Sequence, residues 1–171
     1  AGKTMQGANA VAIGLSSGQM TQGANAVAIG PYTGRTNQGT SGIGVGNAAG
    51  QLNQGSSAVA VGTGSGKTEQ GDNAVGLGKN AGANYQGTNS VAVGNSAGFT
   101  TQGTYSVAVG HNAAQTKQGN NAVALGRDAG GDNQGAHGVA IGRDAGLTYQ
   151  TQKAVAIGQS AGSTTQGLSA V

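Results

Sequence analysis

Small and aliphatic residues alternate in short stretches along the chain, and each stretch lies between a glutamine and a glycine. The first is residues 6–14, Gln-Gly-Ala-Asn-Ala-Val-Ala-Ile-Gly. It returns every sixteen residues with no insertion or deletion. The glutamines of this period are Gln6, Gln22, Gln38, Gln54, Gln70, Gln86, Gln102, Gln118, Gln134, Gln150 and Gln166. A period this constant indicates one structural unit stacked on itself.

Each repeat is predicted to form one coil of a parallel β-solenoid. Sixteen residues are too few for a helical hairpin, and β-branched residues at alternate positions favour a strand. A second short strand, rich in Thr, precedes each Gln, and turns containing Gly join the two strands. We therefore predict an all-β fold, a flat two-sided β-roll. Residues 1–171 would form a single array of about 10.7 coils (171 residues divided by 16) that begins and ends within a coil, as expected for a segment of a longer fibre or a subunit that stacks end to end.

The first strand of the coil has no polar face. One side carries Val, Ile or Leu, and the other carries Ala, Gly or Ser. A strand without a solvated face is normally buried on both sides. Small residues suit a thin interior, so the aliphatic side chains are predicted to face outward and to form the seam of an oligomer. The predicted seam residues are Val27, Ile29, Val59, Val61, Val91, Val93, Val123 and Leu125.

The glutamine of each coil is the second regular feature. Stacked Gln side chains can pass an amide hydrogen bond along a rod, as Gln ladders do in cross-β structures. The alternative is an exposed Gln in a turn, but such a turn would tolerate Asn, Ser or Lys equally well. The ladder is predicted for Gln22, Gln38, Gln54, Gln70, Gln86, Gln102, Gln118 and Gln134. At residues 150–153 Thr replaces the turn Gly, so a local distortion is expected there.

Composition and charge exclude most kinds of chemistry. The chain has 36 Gly, one Pro, no Cys and 8% charged residues, and its net charge is +3. Its cations are scattered, and the stacked pair Arg127 and Arg143 is accompanied by Asp128 and Asp144, so no phosphate-binding stripe and no nucleic-acid partner are expected. Residues 62–68 imitate a phosphate-binding loop but lack its first Gly and its helix. The sequence predicts no enzyme, catalytic residue, cofactor, metal site or membrane-inserted segment.

The coils resemble the head repeats of YadA-like trimeric autotransporter adhesins, which also occur in viral and phage fibre proteins. The resemblance is carried by Asn-Ala-Val-Ala-Ile-Gly at residues 9–14, Asn-Ser-Val-Ala-Val-Gly at 89–94 and Asn-Ala-Val-Ala-Leu-Gly at 121–126. It implies a left-handed parallel β-roll that trimerises and displays an adhesive surface. It also implies an extracellular place, on a cell or virion surface, with the chain itself as partner.

The function predicted from these features is that of a stiff, non-enzymatic fibre segment that presents contact residues for attachment. Exposed aromatic residues can anchor a glycan or a matrix protein, and the candidates are Tyr85, Phe99 and Tyr105. Neutral variation at solvent-facing positions explains each of them equally well. The alternative function is an ice-binding β-solenoid, because repetitive Thr faces can order water. Its Thr column is interrupted by Met20, Leu52, Asn84 and Asp132.

Overall fold

The computed structural model describes residues 1–171 as a stack of β coils with no helix. Nothing in it is a helix of the length and apolarity needed to cross a membrane. The strands are β1 Val11–Ile13, β2 Val27–Ile29, β3 Thr36–Gln38, β4 Ile43–Val45, β5 Leu52–Gln54, β6 Val59–Val61, β7 Thr68–Gln70, β8 Val75–Leu77, β9 Asn84–Gln86, β10 Val91–Val93, β11 Thr101–Gln102, β12 Val107–Val109, β13 Lys117–Gln118, β14 Val123–Leu125, β15 Val139–Ile141, β16 Tyr149–Gln150, β17 Val155–Ile157 and β18 Thr165–Gln166.

The aliphatic strands of all coils build one ten-stranded parallel sheet, in the order β1-β2-β4-β6-β8-β10-β12-β14-β15-β17. Partners lie sixteen residues apart, so that Val91 pairs with Val75 on one side and Val107 on the other. The second side of the roll carries a six-stranded sheet from β3 to β13 and the pair β16 and β18. The predicted all-β parallel solenoid is confirmed, whereas handedness and the number of chains stay predictions.

Alanine fills the space between the two sheets. Ala28, Ala60 and Ala92 are fully buried. Their equivalents along the ten-stranded sheet are buried too, except Ala12 in the first strand, which is half-buried. The aliphatic residues on either side of each Ala point outward, because successive side chains of a strand face opposite ways. The expectation that small residues line the interior is therefore confirmed. A core of methyl groups lets the two sheets approach closely but leaves the larger apolar side chains outside.

The turns hold the coils in register by close backbone contact. The Gly that ends each aliphatic strand has a positive φ, 126° at Gly94, and a Cβ there would lie 2.6 Å from the carbonyl oxygen of Gly110 in the next coil. Other turn positions have left-handed backbone with Asn, Ser or Asp, as at Asn89, where φ is 57°. Of 112 backbone hydrogen bonds, 88 have at least one partner outside the strands, so the turns take part in most of the backbone bonding.

Candidate functional site

The glutamines of the repeat lie inside the roll and form hydrogen bonds along it. Gln38, only 2% exposed, has its Nε2 group 3.0 Å from Gln54 Oε1 in the next coil. The same Nε2 group also donates to the carbonyl oxygens of Val27 at 2.9 Å and Gly42 at 3.1 Å. One amide therefore joins three coils, and it satisfies backbone carbonyls of the aliphatic strand that face the interior.

The glutamine column is interrupted in two neighbouring coils. Gln86 Nε2 donates only to Val75 O at 2.8 Å, and Gln102 Nε2 donates only to Val91 O at 2.7 Å. Both coils carry Ser where the others have Ala or Gly, four residues after the Gln. Hydrogen bonds run from the Ser90 hydroxyl to Gly87 O at 2.6 Å and, more weakly, to Gln102 Oε1 at 3.4 Å. Ser106 likewise donates to a turn carbonyl at 2.6 Å. We attribute the missing bonds to these hydroxyl groups and, for the bond from Gln102 to Gln118, also to the Cβ of Ala114.

The turn that precedes Gln118 also departs from the repeat. Four residues before the Gln, the other coils have a turn Gly, such as Gly34. A Cβ on Gly34 would lie 2.7 Å from Gln38 Oε1. Ala114 carries such a Cβ four residues before Gln118, in left-handed backbone with a φ of 49°. The buried Oε1 atom of Gln118 has no hydrogen-bond partner. The column thus divides into two bonded runs, one from Gln22 to Gln86 and one from Gln118 to Gln166.

The predicted seam residues lie on the outer side of the ten-stranded sheet. Six of them are half-buried by their neighbours: Val27, Val59, Val61, Val91, Val93 and Val123. The other two are more exposed, Ile29 at 38% and Leu125 at 45%. In-register pairing places each residue beside its equivalents one coil away. The result is one uninterrupted apolar strip, named here the aliphatic face, which consists of the Val, Ile and Leu residues of the ten aliphatic strands.

Of the candidate contact residues, Tyr85 lies in β9 and Tyr105 lies in the turn that follows β11, whereas Phe99 lies just before β11. Tyr85 is 55% exposed and Tyr105 is 63% exposed, whereas Phe99 is half-buried. Both Tyr residues have left-handed backbone, with φ of 54° and 56°. Asn53, at the position equivalent to Tyr85 two coils earlier, has the same conformation. A bulky residue is unfavourable in this conformation, so these two Tyr residues cost stability and give the core nothing in return.

The two ion pairs of the chain each join neighbouring residues. The Nε atom of Arg127 lies 3.4 Å from a carboxylate oxygen of Asp128, and Arg143 pairs with Asp144 in the same way. Both pairs are on the surface. No three His, Cys, Asp or Glu side chains lie together as metal ligands would. One apolar cavity lies above the last coil, between Val155 and Val171.

Thr151 occupies the turn position at which every other coil has Gly, and the distortion expected there stays a prediction. A Cβ at the equivalent Gly135 would lie 2.5 Å from the backbone of the next coil. The backbone bond from Thr151 N to Gln166 O is 3.2 Å, compared with 2.8 Å from Gly119 N to Gln134 O. The coils remain bonded through the glutamine column, because Gln150 Nε2 reaches Gln166 Oε1 at 3.2 Å.

Comparison with protein families finds two copies of the YadA head domain repeat, at residues 70–97 and 100–114. The resemblance to a YadA-like head repeat is therefore confirmed for these coils. They include Tyr85, Tyr105, Gln86 and Gln102, whereas Phe99 lies between the two matched ranges. Curated proteins and solved structures give no match to the chain. The repeat match indicates an adhesin-like structural β-solenoid.

Proposed function

We propose that this chain is a non-enzymatic head segment of an adhesive fibre, on a cell or virion surface, and that it assembles as a homotrimer through the aliphatic face. The observation that carries the proposal is the outward position of two rows of aliphatic side chains along the whole ten-stranded sheet. Soluble monomers rarely expose an apolar patch larger than a few hundred Å². YadA-like heads are in general trimeric and not enzymes, which supports the number of chains and the absence of catalysis.

The difference between constant and variable columns of the repeat supports the attachment role. The column that holds Gln in every coil and the column that holds only Ala or Gly form the frame of the rod. Ligand contacts then belong to columns that vary, and Tyr85, Phe99 and Tyr105 lie in such columns. The backbone cost of Tyr85 and Tyr105 speaks against neutral variation, since Asn or Ser at the same positions would avoid it. We propose these three residues as contacts for a glycan or a matrix protein.

Assembly is tested by the substitution Val91→Asp at the centre of the aliphatic face. Within one chain Val91 is half-buried, so an Asp keeps contact with water in a single chain but not at a seam. We expect wild type to scatter light as a trimer and Val91→Asp to dissociate or unfold. The matched control is Asn53→Asp, which adds the same charge at an exposed position of the second side. A stable wild-type monomer of 16.2 kDa would overturn the proposal, as would a Val91→Asp variant that assembles like the control.

A further inference from the structure

A column of alternating cations and amides runs along the second side of the roll, on the coils nearest the N-terminus. It consists of Lys3, Gln19, Arg35, Gln51 and Lys67, named here the cation–amide strip. Backbone bonds prove the stacking: Met20 N donates to Arg35 O at 2.9 Å, and Leu52 N donates to Lys67 O at 2.9 Å. With a rung spacing of ~4.8 Å, neighbouring cations are ~10 Å apart and an amide lies midway between them.

These five side chains are available to a ligand. None of the three cations forms an ion pair. The two ion pairs of the chain are those of Arg127 and Arg143. The side-chain amides of Gln19 and Gln51 have no hydrogen-bond partner among the side-chain bonds of the structure. Lys3 and Lys67 are exposed, and the other three members are half-buried. The strip therefore offers charge on every second rung and an uncommitted amide on the rungs between.

Carboxylates near the strip do not neutralise it. Glu69 lies two residues after Lys67 and makes no ion pair with it at the distances of the structure. The carboxylate of Asp72 accepts the backbone N–H of Ser56 at 2.7 Å and so is already engaged. The region from residue 1 to 69 thus has three cations and one carboxylate.

We propose that the cation–amide strip binds a linear acidic polysaccharide in which a uronate alternates with an N-acetylated neutral sugar. In an extended β-linked chain of this kind each sugar advances by about one rung of the roll, so its carboxylates recur on every second rung. A Lys or Arg then faces each carboxylate, and a Gln amide faces each acetamide, with which it can exchange donor and acceptor. The proposal deepens the attachment function proposed above by naming one ligand class. The last member of the strip, Lys67, lies one coil before Tyr85 on the same side of the roll.

The expected binding is weak for a single chain and stronger for an assembly. At physiological salt the Debye length of ~8 Å is shorter than the spacing of the cations, so each charge acts almost alone. A polymer that continues past the strip onto other chains gains from effective concentration. Salt should weaken the binding. In a plot of the logarithm of the binding constant against the logarithm of the salt concentration, the steepness of the line should fall by about one for each cation removed.

The test uses immobilised hyaluronan as the probe, over a series of salt concentrations. Arg35→Gln and Lys67→Gln each replace a cation of the strip by Gln, the residue that the strip already has at Gln19 and Gln51. We expect each to weaken binding about threefold to fivefold and the double variant to lose it. The matched control, Lys79→Asn, removes one cation from another column and introduces the residue found at Asn95, so it should bind like wild type.

Two further probes test whether the ligand must alternate a uronate with an N-acetylated sugar. Polygalacturonate, with a carboxylate on every sugar, and chitin oligosaccharides, with none, should both bind more weakly than hyaluronan. Absence of hyaluronan binding, equal loss in Lys79→Asn, or equal binding of polygalacturonate or of chitin oligosaccharides would each overturn the proposal. Light scattering of the same variants keeps the two proposals apart, because a monomer would remove the assembly while leaving the strip, which belongs to one chain, able to bind.

Discussion

The glutamine column behaves differently in the coils that begin at Gln22 to Gln70 and in those that begin at Gln86 and Gln102. In the first group each Nε2 group has three acceptors, including the next Gln; in the second it has one, a strand carbonyl. The glutamines are identical and equally buried. What differs is a hydroxyl group four residues later in the chain. The contribution of a buried side chain is therefore set by its neighbours, even in a lattice that repeats the side chain perfectly.

The weaker coils are also those that carry two of the candidate contact residues, Phe99 and Tyr105. Local stability varies within a fold, and segments with fewer buried bonds open more readily. The inner frame is thus least bonded beneath part of the surface that we propose for attachment.

The largest effect should come from removing one glutamine in each region. Gln54 donates to Ile43 O at 2.8 Å and to Gln70 Oε1 at 3.1 Å, and it accepts from Gln38 at 3.0 Å. We expect Gln54→Ala to lower the free energy of unfolding by about 3 kcal/mol or more. Gln102→Ala, which deletes the same atoms but fewer bonds, should cost about half as much. Denaturant titration at one protein concentration measures both, and equal losses would contradict the comparison.

The next effect concerns Ala114, which separates the two bonded runs. We expect Ala114→Gly to stabilise the protein by about 1 to 2 kcal/mol, because it removes a Cβ from left-handed backbone and frees Gln118 Oε1 to accept from Gln102. The reverse change, Gly98→Ala, would place a Cβ 2.8 Å from Gln102 Oε1 and should destabilise. Thermal unfolding of the pair decides the point: a lower melting temperature for Ala114→Gly would refute this account of the interruption.

The smallest effect is expected from the double change Ser90→Ala and Ser106→Ala. It gives both coils the residue of the regular coils and should restore amide bonds from Gln86 and Gln102. The expected gain is about 1 kcal/mol, since each lost hydroxyl bond offsets part of it. Ala58→Ser, which introduces the hydroxyl next to Gln54, should have the opposite sign. If the double variant unfolds earlier than wild type, the hydroxyl groups are not the cause of the missing bonds.

Residue type and period were enough to predict the frame. Alternation of Ala28 with Val27 and Ile29 predicted which residues line the interior, because side-chain direction in a strand has a period of two. The interruption at Gln102 was not predicted, although Ser90 and Ala114 are visible as departures from their columns. Whether a hydroxyl joins an amide ladder or displaces it depends on tenths of an ångström. The exposure of Phe99 likewise depends on how its side chain folds against the surface.

The close contact between Gly94 and Gly110 bears on how such a chain changes during evolution. Each coil packs its backbone against that of the next coil. This contact surface has the same shape throughout because the same glycine recurs in each coil. Any coil therefore fits on any other. Unequal recombination between repeats that gains or loses sixteen residues at a time alters the length of the rod and leaves every junction sound. Loss of a single codon, in contrast, puts all later side chains out of phase with the sheet.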